Sequence, residues 1–156
     1  MSGILIDPGK CIACRACEVA CEREHGRSFI TVFEFESSAV PLNCRHCEKA
    51  PCIDACPTGA LFRDKDGAVM VDVKKCIGCD MCLLACPFGI PEIAGKVMVK
   101  CDLCPERRAE GKLPLCVQTC PTGALSYVEP NEFSAGRRKA YAERLALRRA
   151  ENAPGL

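Results

Sequence analysis

Large aromatic residues are scarce in this 156-residue chain, which has no tryptophan, two tyrosines and six phenylalanines. A conventional hydrophobic interior leans on such side chains, so something else must organise this one. Long apolar runs are missing as well. The nearest candidate, Cys82-Leu83-Leu84-Ala85-Cys86, stops at Pro87, far short of the roughly 18–20 residues a bilayer helix needs. No direct membrane insertion is expected. The start, Met1-Ser2-Gly3-Ile4-Leu5-Ile6-Asp7-Pro8, shows no basic leader, apolar signal region or twin arginine, so a cytoplasmic location is expected. Neither a Gly-rich phosphate loop nor a catalytic cluster of carboxylates is found, and no catalytic residue is assigned. Glu106-Arg107-Arg108 and Asp64-Lys65-Asp66 read as solvated loops.

What the chain has instead is cysteine: sixteen of them, about a tenth of all residues. That density signals either a disulfide scaffold in a secreted protein or metal ligation inside the cell. Without a secretory signal, metal is favoured. The formal net charge of +1 counts every thiol as neutral. Sixteen thiolates holding metal in fours, at about −2 per site, would take the chain to about −7. Much of the lysine and arginine then reads as counter-charge to metal centres rather than as a nucleic-acid surface.

The cysteines fall into four blocks with none left over: Cys11, Cys14, Cys17, Cys21; Cys44, Cys47, Cys52, Cys56; Cys76, Cys79, Cys82, Cys86; and Cys101, Cys104, Cys116, Cys120. Blocks two and four run on with the same words, Pro57-Thr58-Gly59-Ala60-Leu61 and Pro121-Thr122-Gly123-Ala124-Leu125, and block three with Pro87-Phe88-Gly89. The irregular period marks repetition of a small cofactor-binding unit rather than a solenoid.

Blocks one and three carry Cys-x2-Cys-x2-Cys-x3-Cys, the ligand run of bacterial ferredoxins, in which the fourth cysteine serves the other cluster of a pair. In every block the last two cysteines stand four apart and share one helix face: Cys17 and Cys21, Cys52 and Cys56, Cys82 and Cys86, Cys116 and Cys120. A short helix can therefore touch one cluster at its start and another at its end, before Pro57, Pro87 or Pro121 stops it. A tetrahedral zinc site calls for pairs of cysteines, not a third one three residues on. With four thiols per block, [4Fe–4S] suits better than [3Fe–4S] or Rieske centres. His25 and His46 are read as outer residues rather than ligands or proton relays.

Between blocks two and three, Asp66-Gly67 signals a type I′ turn, and Val69, Val71 and Val73 alternate behind it. A β-hairpin is expected there. Phe29 to Phe35 reads as a second extended stretch. The segment Ala135–Ala150 reads as a helix, basic in character, with Asn152–Leu156 fraying beyond it. Because a hairpin separates blocks two and three, these two are expected to pair, leaving one with four. The expected ligand sets are Cys11, Cys14, Cys17 and Cys120; Cys44, Cys47, Cys52 and Cys86; Cys76, Cys79, Cys82 and Cys56; and Cys101, Cys104, Cys116 and Cys21.

Pro41-Leu42-Asn43-Cys44-Arg45-His46-Cys47-Glu48-Lys49-Ala50-Pro51-Cys52, with Lys100-Cys101-Asp102-Leu103-Cys104 and Pro114-Leu115-Cys116-Val117-Gln118-Thr119-Cys120-Pro121, resembles the four-cluster iron–sulfur subunits of the DMSO-reductase type. That family includes the polyferredoxins of carbon monoxide dehydrogenases, formate dehydrogenases, hydrogenases and tungsten aldehyde oxidoreductases. The resemblance spans roughly residues 1–128 and departs after block one, where Glu22 replaces the usual proline. It implies an α+β fold of two ferredoxin-like dicluster lobes related by a pseudo-twofold. The lobes would be residues 1–28 with 97–130 and residues 41–96, inside a four-cluster domain of residues 1–130. A basic helical extension, residues 131–156, would follow.

A chain that commits every cysteine to clusters is suited to relaying electrons. The leading expectation is a non-catalytic electron-transfer subunit working between a catalytic oxidoreductase subunit and an acceptor. A free-standing ferredoxin-type carrier and a maturation or sensing protein with labile clusters are the rival readings. In the basic helix, Tyr141 and Leu145, with Ala142 and Ala146, form a modest apolar stripe beside Arg137, Arg138, Arg144, Arg148 and Arg149. That face could pack on its own lobe, dock on a partner or mediate self-association.

Overall fold

Proline and glycine close nearly every element here before it can grow, so the fold is assembled from short pieces. The computed structural model describes residues 2–151, with side chains described as far as Leu147. Asn152–Leu156, expected to fray, and the side chains of Arg148 and Arg149 lie outside the described residues. Strand β1 (Gly3–Ile6) leads through a 3-10 turn at Pro8–Lys10 to helix α1 (Ala16–His25). Strands β2 (Ile30–Phe35) and β3 (Ser38–Asn43) follow, then α2 (Pro51–Asp54), β4 (Leu61–Arg63), β5 (Val69–Val71) and α3 (Met81–Ala85). The rest comprises β6 (Glu92–Ala94), β7 (Val97–Val99), α4 (Pro105–Ala109), α5 (Leu115–Thr119), β8 (Leu125–Val128) and α6 (Pro130–Glu151).

The strands form four two-stranded antiparallel ribbons. Ribbon β1–β8 sets Gly3 against Val128 and Ile6 against Leu125, tying together segments more than a hundred residues apart. Helix α1 packs on α5, and α2 packs on α3. The apolar interior falls into two clusters. One gathers Ile4, Cys17, Cys21, Ile30, Val32, Cys101, Leu103, Cys116 and Leu125, and it also takes in Ala68 from the β4–β5 hairpin, with Cys44 and Met70 packed against it. The other gathers Ala50, Leu61, Val69, Cys82 and Met98. Cysteines thus take core positions that aromatic residues would otherwise fill.

Local chemistry explains the lengths. With Glu22 in place of a proline, α1 runs for ten residues and ends at Gly26, whose φ of 72° is left-handed. Helices α2, α3 and α5 halt just before Pro57, Pro87 and Pro121. The hairpin between blocks two and three is present, pairing Leu61 with Val71 and Arg63 with Val69. Its turn differs from the two-residue type I′ expected. Of Asp66 and Gly67, only Gly67 has a positive φ, at 87°. Asp64 opens a longer loop instead, its Oδ1 accepting from the N–H groups of Asp66 (2.9 Å) and Ala68 (2.8 Å). A capping carboxylate outweighed the local Asp-Gly preference. The stretch from Phe29 is strand β2, and its partner is β3. Helix α6 begins at Pro130, before the expected Ala135, because Pro130 has no N–H to lose at a helix start and Glu129 caps the turn. The Glu129 carboxylate accepts from Asn131 N–H at 2.7 Å.

The two charged stretches read as solvated loops prove to be partners. Arg108, on α4, has a side chain only 6% exposed and reaches the Asp64 and Asp66 carboxylates, each at 2.9 Å. Its Nε also donates to the Leu103 carbonyl at 3.0 Å. Burial tends to raise the Asp64 carboxyl, but the hydrogen bonds and charge of Arg108 prevail and hold it below its ordinary value. The clip joins the fourth block to the hairpin that separates the second from the third. On the outside, Arg137 pairs with Asp7 at 2.8 Å, and Tyr141 and Leu145 of α6 remain 58% and 48% exposed.

Replacing Arg108 by alanine should cost about 2 kcal/mol, since it strands a partly buried carboxylate and a carbonyl. In cluster-loaded protein this should appear as roughly tenfold faster bleaching of visible absorbance in guanidinium. An unchanged bleaching rate would mean that the clip is ornamental.

Candidate metal centres

Each block presents its first two cysteines on the same backbone device. The residue just before the second cysteine is left-handed in all four: Ala13 (φ 56°), His46 (φ 47°), Gly78 (φ 64°) and Leu103 (φ 64°). Three of these are not glycine, and left-handed backbone at such residues is uncommon and costs energy. Its recurrence at one register marks a loop shaped around something rather than a casual turn. The glycines of the repeated words, Gly59, Gly89 and Gly123, are left-handed too (φ 63°, 62° and 64°).

The thiols converge. One cavity is walled by Cys44, Cys47, Cys52 and Cys86, another by Cys56, Cys76, Cys79 and Cys82. In each, three cysteines come from one block and the fourth from its neighbour. On the other side, α1 against α5 brings Cys17 next to Cys120, while Cys116 lies near Cys21 and Cys104. Cys11 packs against the same apolar cluster as Cys17, and Cys14 stands exposed. Cys101, buried, is near both Cys116 and Cys44, so the two halves meet there.

All sixteen thiols are free. Burial pushes Cys17 up to about 11 and Cys116 up to about 12, with neighbouring cysteines adding to the effect, and it raises Cys101 as well. Such groups do not ionise unaided at neutral pH, whereas a bound metal cation deprotonates a coordinating thiol outright. Cys56 and Cys120 run the other way. Burial tends to raise them, but backbone donors at Leu61 and Leu125 and the hydroxyls of Thr58 and Thr122 bring both below the ordinary thiol value. Each hydroxyl lies 3.7 Å from its sulfur. The repeated Pro-Thr-Gly-Ala-Leu words are therefore sulfur-binding words. Other N–H groups serve the same end, with Phe29 donating to Cys21 Sγ at 3.2 Å and Met98 to Cys76 Sγ at 3.3 Å. An all-thiol donor set, grouped in fours and ringed by N–H donors, fits iron–sulfur clusters.

The histidines occupy quite different places. His25 lies on α1 with Nε2 3.4 Å from Cys104 Sγ. Together with Asp102 they present ligand atoms within 4.8 Å of one another, a grouping that already shares a cysteine of block four. His46 is 3% exposed, and burial, then Lys100 and Arg108, hold its pKa down to about 3. Lys100, which sequence reasoning left among the general counter-charges, is also buried, at 6% exposed. Its only sequence signal is its position beside Cys101. Among the described residues no helix is long and apolar enough to cross a membrane.

A 4Fe-4S dicluster domain family matches residues 35–130, and a 4Fe-4S binding domain family matches residues 8–24. The chain is 39% identical over 155 residues to the thiosulfate reductase electron transfer subunit PhsB of Salmonella typhi, covering 86% of this chain and 79% of that one. It is 36% identical over 172 residues to an iron-sulfur protein of Rhodospirillum rubrum, covering 92% and 90%. With a chain of the anaerobic dimethyl sulfoxide reductase of Escherichia coli it shares 38% identity over 148 residues, covering 80% and 72%.

Block three offers a steric test of these loops. A Cβ at Gly78 would sit 2.6 Å from the Lys96 backbone oxygen, whereas one at Gly89, equally left-handed, would meet nothing within 4 Å. Gly89→Ala should cost about 1 kcal/mol of backbone strain and keep its iron. Gly78→Ala should lose most of the iron bound by its block. Equal iron content in the two variants would contradict the fit described.

Proposed function

The protein belongs to the 4Fe-4S dicluster family of iron–sulfur electron-transfer subunits, and from that premise we propose that it relays single electrons through four [4Fe–4S] clusters to or from a catalytic oxidoreductase subunit. The chain would itself do no substrate chemistry. What carries the reading is the convergence of cysteines from paired blocks, three from one and one from the other, around single cavities.

The proposed ligand sets are Cys44, Cys47, Cys52 and Cys86; Cys56, Cys76, Cys79 and Cys82; Cys11, Cys14, Cys17 and Cys120; and Cys21, Cys101, Cys104 and Cys116. The packing of α1 on α5 and of α2 on α3 supports two dicluster lobes. When bound, each cluster supplies a one-electron site. The polypeptide's part is to hold the thiolates, keep water from the buried ones and aim N–H donors at sulfur. Cys101 near Cys44 supports passage between the halves at that junction. The exposed Cys14 and Cys79 support entry and exit at opposite blocks.

The partner is proposed to be a catalytic subunit of the kind that the relatives' names describe, acting on thiosulfate or dimethyl sulfoxide. The wider resemblance adds tungsten or molybdenum aldehyde and formate oxidoreductases and carbon monoxide dehydrogenase. A cytoplasmic location is part of the proposal. Anaerobic affinity isolation of the full chain from its native cells should bring down a stoichiometric catalytic oxidoreductase subunit. Recovery of a loaded, redox-active monomer alone would favour the free-standing carrier instead.

A further inference from the structure

Two buried polar side chains stand at the junction of the halves and belong to neither thiol set. His46 and Lys100, 3% and 6% exposed, both line the cavity walled by Cys44, Cys47, Cys52 and Cys86. A single residue, Val69, links them through its N–H and its carbonyl. Lys100 Nζ donates to the Val69 carbonyl, and to the Cys101 carbonyl at 2.9 Å. The Val69 N–H in turn donates to His46 Nδ1 at 3.0 Å. Since Nδ1 accepts, the neutral ring carries its proton on Nε2. That Nε2 is buried and has no hydrogen-bond partner among the described residues. A stranded donor of this kind is destabilising, and proteins rarely leave one without a use. Sulfur is the acceptor at hand, in the thiolates of the same cavity and in the sulfides they would enclose. The left-handed backbone of His46 (φ 47°) fixes the ring within the loop that carries Cys44 and Cys47.

We propose that His46 and Lys100 set the reduction potential of the cluster held by Cys44, Cys47, Cys52 and Cys86, His46 by donating Nε2–H to sulfur and Lys100 by a buried positive charge. The inference rests on the ligand set proposed above. Reduction brings one electron from the redox partner onto the cluster; no covalent bond forms or breaks, and no proton is transferred. The added negative charge is stabilised by a donor and a cation already in place, so the reduced form gains more than the oxidised one. Lys100 lies against Cys101 as well, so its charge bears on two clusters, whereas His46 serves one. The pair would make the inner clusters easier to reduce than the outer ones.

Anaerobic redox titration of the full loaded chain, followed by electron paramagnetic resonance, tests this. Cys86→Ala identifies the relevant signal by removing or altering it. At a set potential, His46→Phe should lower the reduced-to-oxidised ratio of that signal about tenfold, equal to 59 mV for a one-electron couple, and leave the other signals in place. His46→Gln, which can still accept and donate, should recover most of the shift. Lys100→Met should move two signals, and Lys100→Arg should restore them. If His46→Phe fails to load, nitrogen-15 histidine in His25→Gln protein keeps the question open to measurement, because His46 is then the sole histidine. A histidine-nitrogen coupling on the assigned signal is expected. Unchanged potentials in loaded variants, or no such coupling, would overturn the inference. Should Cys86→Ala leave every signal intact, the ligand set itself would be at fault.

Discussion

A thiol withdrawn from water resists ionisation, and this protein withdraws many of them. Cys17, Cys21, Cys82, Cys101, Cys104 and Cys116 are all buried. Burial alone drives their acidity in the wrong direction for a free thiolate. Left as neutral thiols they are small hydrophobes, and their left-handed loops would be strain without return. With iron bound as proposed, the same positions would become strong bonds that close the chain on itself. The fold and its metal are therefore one problem, as they are in other small metalloproteins whose interiors are thin.

That coupling explains why the architecture tolerates such short elements. Four ribbons and a set of one-turn helices would not hold together on backbone hydrogen bonds alone. Ligand exchange between blocks would act as cross-linking, with β1–β8 and the Arg108 clip as the protein's own reinforcement. Helix α1, which no proline cuts short, packs across α5 and ties the first block to the fourth.

The iron–sulfur character of the chain was legible because ligand spacing is set by the geometry of a compact cofactor, which local sequence records faithfully. The hairpin of β4 and β5 was legible for similar reasons, in its turn residues and alternating valines. Its turn type was not, because the Asp64 carboxylate competes through a contact that dipeptide preference does not register. Ribbons β1–β8 and β6–β7 escaped notice because three- or four-residue strands carry almost no periodic signal. Arg108, His46 and Lys100 escaped for a different reason. Each looks like an ordinary surface residue in sequence, and each is buried by a partner that only the tertiary arrangement supplies. Polar groups brought in by folding, rather than by spacing, are where sequence reasoning ran out.

The central claim is that the cysteines act as tetradentate cages for iron–sulfide cubes. Quantitation of iron and acid-labile sulfide in anaerobically prepared full-length protein tests it most directly. About sixteen of each per chain are expected from four [4Fe–4S] clusters. Zinc in their place, or iron and sulfide far below that number, would contradict the account.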